Sequence, residues 1–190
     1  MNEIQNRMGS KVSVFIGTSL DGFIARTNGD LDWMQAPGGE GGGDYGYKAF
    51  VARIDAIVMG RKTFEKVLSF EAWPYQKPVI VLTHRPLEIP AKLRNNVETM
   101  AGSPREVVDR LTKRGHLRLY VDGGQTIQGF LSAGLVHELI ISRLPILIAT
   151  GIPLFGPLPA DIRLRLLETH AFPGGMVQST YEVEGRRPQT

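Results

Sequence analysis

A glycine, two cations and a hydroxyl follow one another at Gly60-Arg61-Lys62-Thr63, directly after the apolar run DAIVMG. A glycine at a strand end lets the backbone approach a phosphate closely, the next amides donate at a helix N-terminus, and the cations neutralise charge. The same residues also fit an ordinary helix start with a solvated basic face. Thr83-His84-Arg85 follows the apolar run PVIVLT in like manner. A hydroxyl beside a guanidinium suits the 2′-phosphate of an adenosine ribose, or a plain polar loop. At Val121-Asp122-Gly123-Gly124-Gln125-Thr126 two glycines separate an apolar strand from a helix. They either allow close packing of strand on helix or clear the way for an anion, which the helix dipole favours by about 0.3–1 kcal/mol. All three junctions fall at the C-terminal ends of predicted strands, where open α/β sheets hold their ligands, and the coincidence strengthens the binding reading of each.

Other chemistry has less support. Gly41-Gly42-Gly43-Asp44-Tyr45-Gly46 has G-x-G-x-x-G spacing, but Pro and Gly precede it where a dinucleotide fingerprint needs a strand, so it is set aside. Neither G-x-x-x-x-G-K-[ST] nor G-x-S-x-G occurs. His84, His116, His137 and His170 are scattered, and no metal site is expected. The absence of cysteine excludes disulfides, thiolate ligands and thiol catalysis. A net charge of +3 and a pI near 9.3 favour an anionic small molecule, or simply solubility. Nucleic acid is not expected, because the cations are dispersed and the aromatics fall at core spacing.

The junctions need a sheet to carry them. With 190 residues, 42% apolar and 22% charged, the chain suits one domain burying roughly 70% of its unfolded surface. Strands are predicted at 12–17, 55–60, 78–83, 96–100, 117–122 and 137–147, and the alternating stretch 176–184 reads as a half-exposed strand. Helices are predicted at 45–54, at 103–115, where Ser103 and Glu106 form a capping box and Pro104 takes the first position, and at 125–134. Buried strands separated by helices give an α/β fold with a mixed, mostly parallel sheet and helices on both faces. The domain is expected over 11–184, with flexible ends at 1–10 and 185–190. The glycine-rich loop 36–46 is a lid or a tolerated insertion. LPILIATGIPLF falls short of the ~20 residues of a membrane span. MNEIQNRMGS lacks the pattern of a secretory signal, so a cytoplasmic protein without membrane partners is expected.

Three stretches together resemble the dihydrofolate reductase superfamily: Ser19-Leu20-Asp21-Gly22-Phe23-Ile24-Ala25, Met59-Gly60-Arg61-Lys62-Thr63-Phe64, and Gly123-Gly124 before a helix. GLVHELIISRLPILIATGIPLF, residues 134–155, resembles more closely the reductase domain at the C-terminal end of the bacterial riboflavin-biosynthesis deaminase-reductase. The likeness spans about residues 11–183, and with no deaminase module ahead of it a stand-alone member is expected.

The resemblance implies a dihydrofolate reductase-like three-layer α/β/α sandwich using NADPH. Arg61, Lys62 and Arg85, with Thr83 and His84 beside them, would face the 2′-phosphate. Thr63 and the Gly123, Gly124, Gln125 and Thr126 turn would hold the pyrophosphate, with Gly60 and Val121 completing the cofactor set. Gly17, Ile24 and Ala25 would flank the nicotinamide, and residues 19–33 would close over it. Asp44, sixteen positions before Gly60, stands where dihydrofolate reductases carry the carboxylate that binds the pterin, or merely caps the helix beginning at Tyr45. Ser142 would support that carboxylate, and Lys48, Arg53 and Arg143 are candidates for a substrate phosphate.

Asp21-Gly22 and the glycine-rich run turn the reading from folate toward 5-amino-6-(5-phosphoribosylamino)uracil, reduced to its ribityl product. The alternatives are reduction of dihydrofolate, a pterin or a small carbonyl, and nucleotide binding without turnover. Family members often form homodimers through late strands, and the same is expected here.

Overall fold

The computed structural model describes residues 9–35 and 43–184. In chain order its elements are β1 (Lys11–Thr18), β2 (Phe23–Ala25), α1 (Tyr47–Ala52), β3 (Ala56–Gly60), α2 (Arg61–Leu68), β4 (Val79–Leu82), β5 (Val97–Met100), α3 (Pro104–Lys113), β6 (Arg118–Asp122), α4 (Gly124–Ser132), β7 (Glu138–Arg143), β8 (Ile152–Pro153), β9 (Leu164–Ala171) and β10 (Val177–Val183). Eight strands form one sheet in the order β5-β4-β3-β6-β1-β7-β10-β9. The first six run parallel, and β10 pairs antiparallel with both neighbours. This is the expected mixed α/β sheet, with β6 inserted between β1 and β3.

Strand alternation sorts the core into two layers. Val12, Val14, Val58, Leu119, Val121, Leu139 and Ile141 meet Val107 and Leu111 of α3 and Ile127 and Phe130 of α4. On the other face Ile57, Met59, Val79, Tyr120 and Ile140 meet Phe50 of α1 and Phe64 of α2. Phe64 and Phe130 are wholly buried, and each such side chain contributes roughly 1.5–3 kcal/mol.

All seven expected strands and three expected helices are present, with shifted ends. β7 stops at Arg143, two residues before Pro145, which has no N–H for the ladder. α1 starts at Tyr47 instead of Tyr45, because Tyr45 and Gly46 adopt the left-handed φ of 48° and 83°. β9 is a strand that no pattern announces: all eight of its residues are exposed, so burial imposes no period on LRLLETHA.

β2 and β8 form a separate small ladder that bridges the start of the chain to residues 152–153. Asp21 fastens it, accepting N–H bonds from Ile148 at 3.2 Å and Ala149 at 2.9 Å. The segment after β2 is tied to α2 by an ion pair between Asp30 and Lys66 at 3.0 Å. Residues 1–8, 36–42 and 185–190 lie outside the described residues, and with them much of the glycine-rich loop and of both termini.

Candidate functional site

Three helices begin beside the sheet in two different ways. α3 satisfies its own first turn: Ser103 and Glu106 form the capping box, each side chain bonding the other's backbone N–H. α2 and α4 begin at Gly60 and Gly123, which offer no side-chain cap. The first N–H groups of both helices therefore point outward at the C-terminal edge of β3 and β6, the arrangement that receives phosphate oxygens.

These two starts interlock. A Cβ on Gly123, whose φ is +90°, would collide with Thr63 Oγ1, and one on Gly60 would stand 2.9 Å from Thr126 Oγ1. Each turn thus has a threonine where the other can carry only a glycine. Gly124 is buried against Ile24, whose Cδ1 lies 3.0 Å from where a Cβ would be. Gly60, Thr63, Gly123, Gly124, Thr126 and Ile24 are in this way brought together at one edge. Val121 is buried beneath them, and Gln125 is exposed on the first turn of α4.

The third junction joins the same edge. Arg61 donates from Nε to Glu65 at 2.7 Å and from Nη1 to the carbonyl of Pro86 at 3.1 Å, so its guanidinium spans the start of α2 and the loop after β4. In that loop the Thr83 hydroxyl accepts the N–H of Arg85 at 3.2 Å and donates to its carbonyl at 3.0 Å. Lys62, His84 and Arg85 are exposed, and the three form no ion pair among the described residues. Ala25 and Ile24 are buried in β2, whereas Gly17 is partly open, with Met34 Cε 3.4 Å from its missing Cβ.

On the α1 face of the sheet the strand ends carry side chains of a different kind. Gly17 pairs with Ser142, and Ser142 with Gln178, so the three share that face. Ser142 and Gln178 are buried, and Gln178 Nε2 donates to Ser142 Oγ at 2.9 Å and to the carbonyl of Tyr45 at 3.1 Å. Asp122 faces the same side, with its Oδ1 accepting the N–H of Gly123 at 2.8 Å and its Oδ2 the hydroxyl of Tyr75 at 3.4 Å. The residue keeps a partly open edge, yet burial of the carboxyl pushes its pKa up to about 6, against the smaller opposing pull of those two donors. Burial, and then the nearby Asp122, pushes Tyr47 up to about 12. Tyr75 and Tyr120 are raised for the same two reasons.

Two expectations need correction, and of the two readings of Asp44 the geometry matches the cap. Asp44 is exposed, accepts the N–H of Lys48 at 2.7 Å and of Gly46 at 3.4 Å, and is held below the usual carboxylate range, chiefly by the Lys48 N–H. It caps the turn ahead of α1 as an ionised group. The Ser142 hydroxyl meets Gln178, not the carboxylate of Asp44. Arg53 is at the opposite edge of the sheet, paired with buried Glu138 at 2.6 Å, and cannot serve a substrate phosphate. Arg143 is exposed at the C-terminal end of β7, but alternation places it with Leu139 and Ile141 on the face opposite Ser142.

Asp122 and Gln178 escaped the sequence reading. Asp122 left a signal, a lone carboxylate ending the buried run LYV ahead of two glycines, whereas Gln178 left none in its alternating strand. A hollow lined by Ser10, Lys11, His137, Glu138 and Leu167 opens at the N-terminal edge of the strands, away from these turns and from the end where open α/β sheets bind ligands. Among the described residues no helix is long and apolar enough to cross a membrane, and no cluster of three or more His, Asp or Glu could hold a metal ion.

Comparison with known proteins agrees with this fold. A family model described as the RibD C-terminal domain matches residues 10–178. The uncharacterized protein YwjB of Bacillus subtilis strain 168 is 34% identical over 178 residues, 92% of this chain and 98% of YwjB. A Shewanella sp. PV-4 protein of known structure, assigned provisionally to riboflavin biosynthesis, is 39% identical with a TM-score of 0.87, over 92% of this chain and 99% of its own. Dihydrofolate reductase from Enterococcus faecalis, solved with NADP(H), has the same fold at 16% identity and a TM-score of 0.66, over 91% of this chain and 96% of its own.

Proposed function

The chain belongs to the RibD C-terminal domain family, and on that premise we propose that it is an NADPH-dependent reductase acting on a C=N or C=O bond of a pyrimidine- or pterin-type substrate. The family and its structural neighbours are reductases, which makes an oxidoreductase the starting point. Support for the cofactor comes from the interlock of two uncapped helix starts, Gly60 to Thr63 and Gly123 to Thr126. Two sets of free backbone donors side by side fit the two phosphates of a dinucleotide better than any single anion.

In this reading Thr63, Gly123, Gly124, Gln125 and Thr126 hold the pyrophosphate, and Arg61, Lys62, Thr83, His84 and Arg85 face the 2′-phosphate. NADPH supplies the hydride when bound. The protein contributes orientation, holding donor and acceptor carbons about 3–3.5 Å apart, where proximity removes several kcal/mol of barrier. Gly17, Ile24 and Ala25 form the wall against which the nicotinamide rests.

The acceptor, in the same reading, lies on the α1 face between Gly17, Ser142, Tyr47 and Asp122. Ionised Asp44 accepts hydrogen bonds from N–H groups of a heterocycle at the mouth. Asp122, whose carboxyl titrates near 6, delivers a proton to the atom left basic by hydride addition. Family membership supports a substrate of the riboflavin-pathway type, such as 5-amino-6-(5-phosphoribosylamino)uracil, over folate; Arg143 follows Ser142 in β7 and faces the other side of the sheet. The eight exposed residues of β9, with Leu164, Leu166 and Leu167 among them, support pairing of two copies along that edge.

Loss of nicotinamide absorbance, followed against a panel of the ribosylaminouracil phosphate, dihydrofolate and simple carbonyls, tests the proposal. Turnover of the uracil compound is expected. Reduction of another acceptor instead reassigns the substrate, and tight NADPH binding with no turnover of any acceptor replaces the enzyme with a nucleotide-binding module.

A further inference from the structure

Tyr45 is one of two non-glycine residues among those described that hold a left-handed φ, 48° here, and Gly46 follows at 83°. Such a conformation is costly for a residue with a side chain and persists only where its surroundings over-determine it. The surroundings are specific. The Tyr45 ring packs edge-on against Phe172, from the turn joining β9 to β10, at 5.1 Å between centroids. The Tyr45 carbonyl accepts one hydrogen of the Gln178 amide, whose second hydrogen goes to Ser142 Oγ.

Gln178 is buried, so both donors lose water and are satisfied only by these two acceptors. Its position is fixed in turn by the ladder, opposite Ser142, which is opposite Gly17. A single buried amide therefore measures the distance from the sheet row carrying Gly17 to the strained turn carrying Asp44.

We propose that Gln178 is the positioning residue of the substrate end: its side-chain amide locks the left-handed Tyr45 turn to Ser142 and so sets Asp44 in register with the row of Gly17. The assignment rests on the reductase reading for its catalytic consequence, but the lock itself is a property of the fold. Gln178 acts through its neighbours and not on cofactor or acceptor. Its loss should therefore weaken acceptor binding while leaving the phosphate-holding turns, two strands and more away, untouched.

The test compares the unsubstituted protein with Gln178→Glu, which replaces the donor amide by an acceptor facing the Tyr45 carbonyl, and Gln178→Met, which keeps the length and folds even if the buried carboxylate does not. Two readouts are taken on each. Amide hydrogen exchange at Gly46 and Lys48 should quicken by about tenfold or more once the turn is unlocked. KM for the acceptor should rise by about a few-fold, the size expected for weakening the hydrogen bond that Asp44 makes to it, while NADPH affinity measured by titration stays within about twofold. Unchanged exchange in both variants overturns the proposal, as does NADPH affinity lost in step with acceptor binding, which would mark Gln178 as a general structural support. If the unsubstituted protein reduces no acceptor, the reductase reading fails, and the exchange measurement still decides for or against the lock.

Discussion

The two ends of the candidate site are built from different materials. At the cofactor end the contacts are main-chain donors, opened by Gly60 and Gly123 and fixed by threonines that fill the space each glycine leaves. At the substrate end the contacts are side chains: Asp122 among tyrosines, Ser142 under Gln178, Asp44 on a strained turn. A backbone site is set by turn geometry within a few residues. A side-chain site is set by whatever the distant chain delivers, which makes it free to change acceptor while the cofactor end stays the same.

Substitutions can sharpen or break that division, and the largest effect is expected at the cofactor end. Gly123→Val places a branched side chain at φ +90° against Thr63. Thermal denaturation should report a loss of about 1–3 kcal/mol or more, and titration should find no NADPH binding. Retained binding would show that the interlocked turns do not hold the cofactor.

Next comes Asp122→Asn, expected to lower turnover by about 100-fold with NADPH affinity unchanged. The parent carboxyl titrates near 6 in the folded chain and 3.8 ordinarily. It is thus more protonated folded than unfolded between those values. Its contribution to stability is complete below about 3.8 and disappears as pH rises through about 6. Denaturant titrations across that window should show the decline in the parent and its absence in the Asp122→Asn variant, and turnover of the parent should decline over the same range.

A smaller, more selective change is expected for Arg61→Ala. Its side chain is 39% exposed, so removing it should weaken NADPH binding by about tenfold and leave NADH binding alone. Equal effects on both would remove Arg61 from the 2′-phosphate. The smallest is Asp44→Asn, which keeps an acceptor for the Lys48 N–H but not the charge. A rise of roughly a few-fold in acceptor KM is expected, as for one exposed hydrogen bond weakened by loss of its charge. A fall in kcat of the size given for Asp122 would make Asp44 the proton donor instead.

The same division explains what could be read in advance. Gly60, Thr63, Gly123 and Thr126 were legible because a glycine between an apolar run and a helix is a local signal with a local cause. The parallel strands were legible for a related reason, since VSVFIG or AIVMG can be stable only when buried on both faces. Asp122 and Tyr75 lie 47 positions apart, and Gln178 and Tyr45 lie 133 apart. No pattern within either segment announces the other, so the substrate end is reached from sequence only through resemblance. Arg53 shows the hazard. It closes α1, where a substrate contact could stand, but the helix carries it to the far edge, where Glu138 takes it. β9 was illegible because a strand with neither face buried carries no period at all.

The reciprocal fit of threonine and glycine across the two helix starts has a consequence for how this sequence can drift. Gly123 cannot acquire even a methyl group while Thr63 stays, and its φ of +90° holds it to glycine even if residue 63 shrinks, whereas Gly60 needs only the Thr126 hydroxyl to give way. Change among descendants should therefore reach Thr63 or Thr126 before the glycine opposite, and Gly123 last of all.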